Sequence, residues 1–316
     1  MRFRAPFWVG AICLLSWPAA GADDLQASTI LRNRAPAARA DFRTESNLVL
    51  IPVNVTDARN HTVLGLDRSA FRVFDDQAEQ KIVEFSCEDA PLSVGIVFDS
   101  SQSMDGKLQQ SREAIRQFLR FANPEDEFFL VEFGTRPRLS VPFTDDAGEI
   151  QSRLLHAVPS GTTALLDATE MAMDYLRRHA RYPRRALLVL SDGGDNHSRY
   201  SETEVLDHVR ESNLWVYAMG LYDPKPGYGP SEAAHGQRLL HALADASGGR
   251  QFAVGSLIDL PVVAARISLQ LRNQYVLGYR PSISNHDGKY HHVQVHVIEG
   301  RNLMVSWRPG YYGPVE

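Results

Sequence analysis

The sequence predicts an α/β protein built on a doubly wound, mostly parallel sheet with helices on both faces, inserted in or flanked by a small β-sandwich. An almost continuous apolar run from Leu92 to Phe98 is typical of a strand that is covered on both faces. Helix-like and strand-like segments then alternate to about residue 271, which indicates a parallel sheet. A length of 316 residues and a hydrophobic content of 44% are typical of a globular protein with two structural parts.

The amino-terminal residues 1–22 are predicted to be a signal peptide. Arg2 and Arg4 precede an apolar run from Phe7 to Trp17, and Ala20-Gly21-Ala22 has the small-residue pattern that signal peptidase cleaves. We therefore expect cleavage after Ala22 and a secreted or periplasmic protein. The apolar run is shorter than the ~20 residues that a membrane-spanning helix needs, so the mature chain is expected to have no transmembrane segment.

The remaining composition narrows the classes of function. The 33 basic and 38 acidic residues give a formal charge of -5 and are spread through the sequence, so nucleic-acid binding is not expected. Cys13 lies in the predicted signal peptide, which leaves Cys87 alone, and no intramolecular disulfide is expected in the mature chain. Residues 23–45 lack a sustained apolar period and are predicted to be a tether.

Two sections with a strand pattern flank the α/β section, and we expect them to form one small β domain. In residues 46–90, apolar side chains alternate with polar ones from Val49 to Val55, as in a strand with one buried face. Further strand-like runs lie at 71–74, 82–87, 274–279, 291–298 and 303–307. Neither section has enough strands for a core, so residues 46–90 and 273–316 are predicted to pair.

Residues 91–272 are predicted to be the α/β domain. Between residues 107 and 122 the apolar side chains recur at helical spacing, which predicts the first helix. The other predicted helices lie at 165–179, 202–211, 238–246 and 260–271, and the predicted strands at 92–98, 128–133, 139–141, 186–190, 215–219 and 251–254. A turn-rich loop at Gly227–Ser231 follows one of these strands and is interpreted as a surface connection near the ligand-binding face.

Polar side chains follow the first buried strand directly. Asp99, Ser101 and Ser103 place one carboxylate and two hydroxyls at alternating positions of one loop. Ligands of open α/β sheets bind beyond the carboxyl ends of the strands, which is where this loop is predicted to lie. Hard oxygen donors favour Mg²⁺, Mn²⁺ or Ca²⁺ over zinc, which prefers nitrogen and sulfur.

The pattern Asp99-x-Ser101-x-Ser103 resembles the metal-ion-dependent adhesion site of the von Willebrand factor type A family. Thr163, within Gly161-Thr162-Thr163-Ala164-Leu165-Leu166-Asp167, resembles the family's threonine loop, and Asp192, within Leu190-Ser191-Asp192-Gly193, resembles its distal aspartate. The resemblance covers roughly residues 91–272. The three loops together favour a metal site, although Asp99 with Ser103 also fits a helix cap and Asp192-Gly193-Gly194 also fits a turn.

The resemblance implies a ligand set and a kind of partner. Asp99, Ser101 and Ser103 would approach the metal directly or through water, with Thr163 and Asp192 completing the protein ligands. Thr162 is an alternative to Thr163, and Gln102 replaces a glycine that is common in relatives. Mg²⁺ is the expected ion, with Mn²⁺ or Ca²⁺ as alternatives, and the family commonly adds a carboxylate from a protein partner to the metal.

The flanking sections are similar to the secreted bacterial von Willebrand-factor-A-related proteins. The segments that carry this similarity are Val53-Asn54-Val55-Thr56-Asp57, Phe71-Arg72-Val73-Phe74-Asp75-Asp76, Tyr275-Val276-Leu277-Gly278-Tyr279 and Gly310-Tyr311-Tyr312. We therefore expect an exported, metal-dependent protein-binding module rather than an enzyme. The alternatives are a metal-dependent hydrolase, disfavoured because Ser101 stands where a second acid is needed, and a metal-independent scaffold of the cell envelope.

Three histidines near the carboxyl terminus are a weaker candidate for a second metal site. On a strand, His292 and His296 would share one face while His291 would point to the other. We therefore interpret them as part of a solvated strand rather than as a ligand set.

Overall fold

The computed structural model describes residues 48–87, 89–221, 230–281, 287–298 and 302–313, without the side chains of 230–233. Residues 46–316 form one compact unit. The predicted signal peptide and tether lie outside the described residues. So does the predicted loop at Gly227–Ser231 as far as Gly229, whereas its last two residues begin a helix.

The strands and helices follow one another in the described part of the chain with these bounds. The strands are β1 (Val49–Thr56), β2 (Phe71–Asp75), β3 (Ala78–Gln80), β4 (Ile82–Ser86), β5 (Ser93–Asp99), β6 (Glu127–Phe133), β7 (Pro137–Thr144), β8 (Arg185–Ser191), β9 (Trp215–Leu221), β10 (Arg250–Val254), β11 (Tyr275–Tyr279), β12 (Tyr290–Val297), β13 (Met304–Trp307) and β14 (Gly310–Tyr312). The helices are α1 (Leu108–Arg120), α2 (Ala147–Leu154), α3 (Leu165–His179), α4 (Glu202–Glu211), α5 (Pro230–Ser247) and α6 (Leu260–Arg272).

The central sheet has the strand order β10-β9-β8-β5-β6-β7, with every neighbouring pair parallel except β6 and β7. Helices α1, α2 and α6 pack on one face, and α3, α4 and α5 on the other. Alternate residues of β5 enter the two cores, with Phe98 on one side and Val97 on the other. This double coverage explains the continuous apolar run, and the predicted doubly wound fold class is confirmed.

The two flanking sections pair into two further sheets. Strand β1 lies between β11 and β13, and β4 pairs with β11, all antiparallel. The second sheet has the order β14-β12-β2-β3. Side chains of both sheets share one core, in which Val53 packs with Tyr275 and Val295. The flanking β-sandwich of the predicted fold is therefore present, while its exact boundaries at residues 46–90 and 273–316 stay a prediction.

Several short elements were not predicted from the sequence. Helix α2 was not predicted, because Gly148 in its first turn and its length of eight residues obscure the helical pattern. The Asp146 side chain caps this helix by accepting a hydrogen bond from Gly148 N at 2.7 Å. Helix α5 begins at Pro230 rather than near residue 238. Strands β3 and β14 have three residues each, too few for a detectable alternation.

Arg184 joins the two structural parts where the chain passes between them. Its Nη1 donates to Ala90 O at 2.7 Å, just before β5, and its Nη2 donates to Leu271 O at 2.7 Å, at the end of α6. Arg184→Met would leave these carbonyl groups without a strong donor. We expect it to lower the free energy of unfolding by about 2 kcal/mol in chemical denaturation.

The matched control is Arg178→Met on α3. Arg178 makes an exposed ion pair with Asp174 at 2.9 Å, so its loss should cost less than about 0.5 kcal/mol. Equal losses in the two variants would contradict a bridging role for Arg184.

Candidate metal centre

Two buried aspartates meet at one edge of the central sheet. Asp99 ends β5, and Asp192 directly follows β8, the parallel neighbour of β5. Because parallel strands end at the same edge, both aspartates lie at the carboxyl ends of neighbouring strands, where ligands of open α/β sheets bind. Asp99 is 0% exposed and Asp192 is 7% exposed.

The loop after β5 arranges oxygen atoms around Asp99. Its Oδ1 accepts a hydrogen bond from Ser101 N at 2.8 Å, and its Oδ2 accepts one from Ser191 Oγ at 2.6 Å. The hydroxyl oxygens of Ser101 and Ser103 are 3.0 Å apart. Carboxylate and hydroxyl oxygens are therefore gathered within one loop and the adjoining strand end.

The electrostatics at Asp99 favour its neutral form in the absence of a cation. Burial, followed by the charge of Asp192, raises the pKa of Asp99 to about 7 against the hydrogen bonds from Ser101 and Ser191. A divalent ion between the two carboxylates would reverse this balance, because it would stabilise both charges. The surroundings of Asp99 thus fit a bound cation.

Lys107 places a positive charge beside the second aspartate. Its Nζ lies 3.1 Å from Asp192 Oδ2, and the two side chains are only 5% and 6% exposed. A buried carboxylate of this kind needs a cationic partner, and in this structure the ammonium provides it. A metal ion that uses Asp192 must therefore share or displace this ion pair.

The threonine loop is attached to the Asp99 loop by backbone hydrogen bonds. Ser160 N donates to Ser100 O at 2.9 Å, and Gln102 N donates to Gly161 O at 3.1 Å. Gly161 has a φ of +76°, and a Cβ there would lie 2.2 Å from Thr135 Oγ1, so this turn requires glycine. The same contacts bring the chain that follows Gly161 next to the loop that carries Ser101 and Ser103.

Thr163 and Thr162 have different surroundings. Thr163 is buried, and its N–H donates to Asn196 Oδ1 at 2.9 Å, whereas Thr162 is exposed. The carbonyl of Thr163 accepts from the N–H groups of Asn196 and His197 at 3.0 and 3.1 Å. These contacts fix the backbone of Thr163 between the threonine loop and the segment after β8, whereas Thr162 lies at the surface.

The structure adds three residues that sequence reasoning did not assign to the site. They are Ser191, which donates to Asp99, Lys107, which pairs with Asp192, and Asn196, which holds Thr163. Ser191 ends β8 and directly precedes the predicted ligand Asp192, so its place near the site could have been inferred from the sequence. The other two act across 85 and 33 residues of sequence, so their partners depend on the tertiary fold.

The family model of the von Willebrand factor type A domain matches residues 94–194, which include all five predicted ligands. The chain contains a von Willebrand factor type A domain. Human inter-alpha-trypsin inhibitor heavy chain H4 is 30% identical over 141 residues, which are 41% of this chain and 15% of the human protein. The matched segment is thus a small part of that relative.

The chain is also similar to a bacterial protein and to a solved structure. An uncharacterised protein of Borreliella burgdorferi is 25% identical over 154 residues, which are 46% of this chain and 44% of that protein. A solved von Willebrand factor type A structure from Catenulispora acidiphila covers 87% of this chain and 75% of its own, with 12% identity and a TM-score of 0.50. Within the described residues, no helix is both long enough and apolar enough to cross a membrane.

Proposed function

We propose that this protein is an exported binding module, not an enzyme, that captures an acidic group of a protein partner through a divalent ion. Asp99, Ser101, Ser103, Thr163 and Asp192, named the Asp99 centre below, would hold the ion. Mg²⁺ is the ion expected, since all donors are hard oxygens and Mg²⁺ keeps positions for water or an incoming carboxylate. The observation that carries the proposal is the pair of buried carboxylates at neighbouring strand ends.

Basic side chains beside the threonine loop support an acidic partner. The residues that line a cleft next to this loop include Arg136, His197, Arg199 and Asp167, and Arg199 is paired with Asp167 at 3.1 Å. Thr135, also in the lining, accepts a hydrogen bond at Oγ1 from Thr162 N at 3.1 Å. Arg136 is exposed and makes no ion pair with any other residue that the structure describes. The positive charge of Arg136 beside the threonine loop would attract a carboxylate-bearing segment toward the ion.

Capture from a cell-envelope extract of the source organism tests the proposal. The immobilised mature chain should retain partner proteins in Mg²⁺ and release them on addition of a chelator, and Asp99→Ala should retain none. Arg136→Glu should weaken capture while leaving Mg²⁺ affinity unchanged, because the arginine faces the partner and not the ion. Retention that is insensitive to the chelator would instead favour a metal-independent scaffold, and turnover of a phosphoester would favour a hydrolase.

A further inference from the structure

A second group of potential ligands lies in the β-sandwich, outside the Asp99 centre. Asp75 ends β2, Asp76 follows it in a turn, and His291 lies on β12. One ligand atom from each of these three residues lies within 4.8 Å of the others. Asp287 contacts His291 from the loop before β12, and the four residues are named the His291 cluster.

The strand pairing brings these residues together. Strand β12 pairs antiparallel with β2, with Val293 opposite Asp75, so His291 lies beyond the end of β2 beside Asp76. Asp76 N donates to His292 O at 2.9 Å, and Asp76 Oδ1 accepts from His292 N at 2.9 Å. Asp76 has a φ of 46° and Gln77 one of 70°, which is the geometry of a tight two-residue hairpin turn. The backbone therefore fixes Asp76 against the strand that carries His291.

One carboxylate oxygen of Asp75 is buried without a hydrogen-bond partner among the described residues. The residue is 7% exposed, and its Oδ2 accepts hydrogen bonds from Tyr279 at 3.1 Å and Tyr311 at 2.8 Å. Its Oδ1 is buried and has no hydrogen-bond partner among the residues that the structure describes. A buried carboxylate oxygen without a partner costs free energy, and a cation next to the group would remove that cost.

His291 is oriented by carboxylates on both of its ring nitrogens. Nε2 lies 3.1 Å from Asp287 Oδ1, and Nδ1 lies 2.8 Å from Asp76 Oδ2, with the imidazole only 14% exposed. The ring also stacks on Tyr311 with 5.4 Å between the centroids. Donation from Nε2–H to Asp287 would leave the Nδ1 lone pair directed at the carboxylate pair, as in carboxylate–histidine–metal arrangements.

We propose that Asp75, Asp76 and His291 bind a divalent transition-metal ion, with Zn²⁺ as the preferred ion and Asp287 as the carboxylate that orients His291. One imidazole and two carboxylates suit Zn²⁺ and related ions, whereas Mg²⁺ prefers ligand sets made of oxygen alone. Three protein ligands leave at least one coordination position for water or a ligand from outside. The bound ion would link the turn after β2 to β12 and, through Tyr311, to the last described strand.

Titration calorimetry with ZnCl₂ alone tests this site in the mature chain carrying Asp99→Ala, which removes the principal ligand of the other centre. We expect one equivalent of Zn²⁺ to bind and MgCl₂ not to compete. His291→Gln should weaken Zn²⁺ binding by at least roughly a hundredfold, because it removes the only nitrogen ligand. The exposed residue Asp287 offers a variant that keeps the fold, and Asp287→Asn should weaken Zn²⁺ binding roughly tenfold to a hundredfold.

His292→Gln is the matched control, because His292 is the neighbouring histidine and faces solvent. Zn²⁺ affinity in this variant should equal that of the parent. Equal affinity in the parent, His291→Gln and Asp287→Asn would overturn the proposal, and so would the absence of any stoichiometric Zn²⁺ binding by the parent. The second result would mean that the contacts of His291 with Asp76 and Asp287 serve only to hold these segments together.

Discussion

Asp99→Ala should reduce the affinity for Mg²⁺ and Mn²⁺ by at least roughly a hundredfold, the largest change expected of any single substitution at the Asp99 centre. With an ion bound, Asp99 would provide a full negative charge from a fully buried position, and within the Asp99 centre only Asp192 would provide another. Asp192 is already paired with Lys107 at 3.1 Å, so it cannot replace the missing charge. Titration calorimetry with each ion measures the effect directly.

Ser103→Ala is the control for this measurement. A hydroxyl is a neutral ligand that water can replace, so this variant should lose about tenfold or less. Saturating Mg²⁺ should raise the thermal stability of the wild type and of Ser103→Ala but not that of Asp99→Ala, since an ion that binds only the folded state stabilises it. Identical Mg²⁺ affinity in the wild type and Asp99→Ala would show that the ion binds elsewhere.

Much of the fold could be predicted because buried strands and the helices that cover them give regular patterns of apolar residues along the sequence. Buried parallel strands such as β5 give continuous apolar runs, and helix α3 follows Thr163 with an uninterrupted helical period. The elements that were missed give weak patterns for physical reasons. Helix α2 is short and contains glycine, and β14 is held by pairing with β12 rather than by its own three residues.

In the candidate sites, residues that are close in sequence could be predicted, and contacts between residues distant in sequence could not. Asp99, Ser101 and Ser103 lie within five residues of one another, so their spacing alone indicates a shared ligand. The ion pair of Lys107 with Asp192 joins residues 85 positions apart, and His291 meets Asp76 across 215 positions. Strand alternation predicts that His291 lies on the opposite face from His292 and His296, and the burial along β12 agrees. The partners of His291 on that face depend on the pairing of β2 with β12.

The stability of the metal-free protein should depend on pH through the ionisation of Asp99. The pKa of Asp99 is about 7 in the folded chain against 3.8 for an unperturbed aspartate, with burial the main cause and Asp192 the second. Between these two pH values the folded state binds a proton that the unfolded state releases. The contribution of Asp99 to stability therefore falls as pH rises from about 4 to about 7, by a total on the order of 4 kcal/mol.

Asp99→Asn isolates this effect, because the amide keeps an oxygen for Ser101 N and carries no charge. In chelator, the free energy of unfolding of the variant minus that of the wild type should rise from pH 4 to pH 7 and then stay level. Asp174→Asn should show no such rise between pH 4 and pH 7, because the pKa of Asp174 is lowered below its ordinary value of 3.8 and its effect on stability appears only at lower pH. Hydrogen bonding to Arg177 is the largest cause of the lowered pKa of Asp174, so ionised Asp174 stabilises the folded state, and this stabilisation is lost as pH falls.

Saturating Mg²⁺ separates the metal proposal from a purely structural role of Asp99. A bound dication stabilises the ionised carboxylate. With Mg²⁺, the free energy of unfolding of the wild type should therefore no longer fall as pH rises to about 7, while that of Asp99→Asn should not respond to the ion. If the difference in free energy of unfolding between the two proteins does not vary with pH in chelator, burial and Asp192 do not disfavour the charge of Asp99. A pH-dependent difference that Mg²⁺ leaves unchanged would place the ion away from this carboxylate.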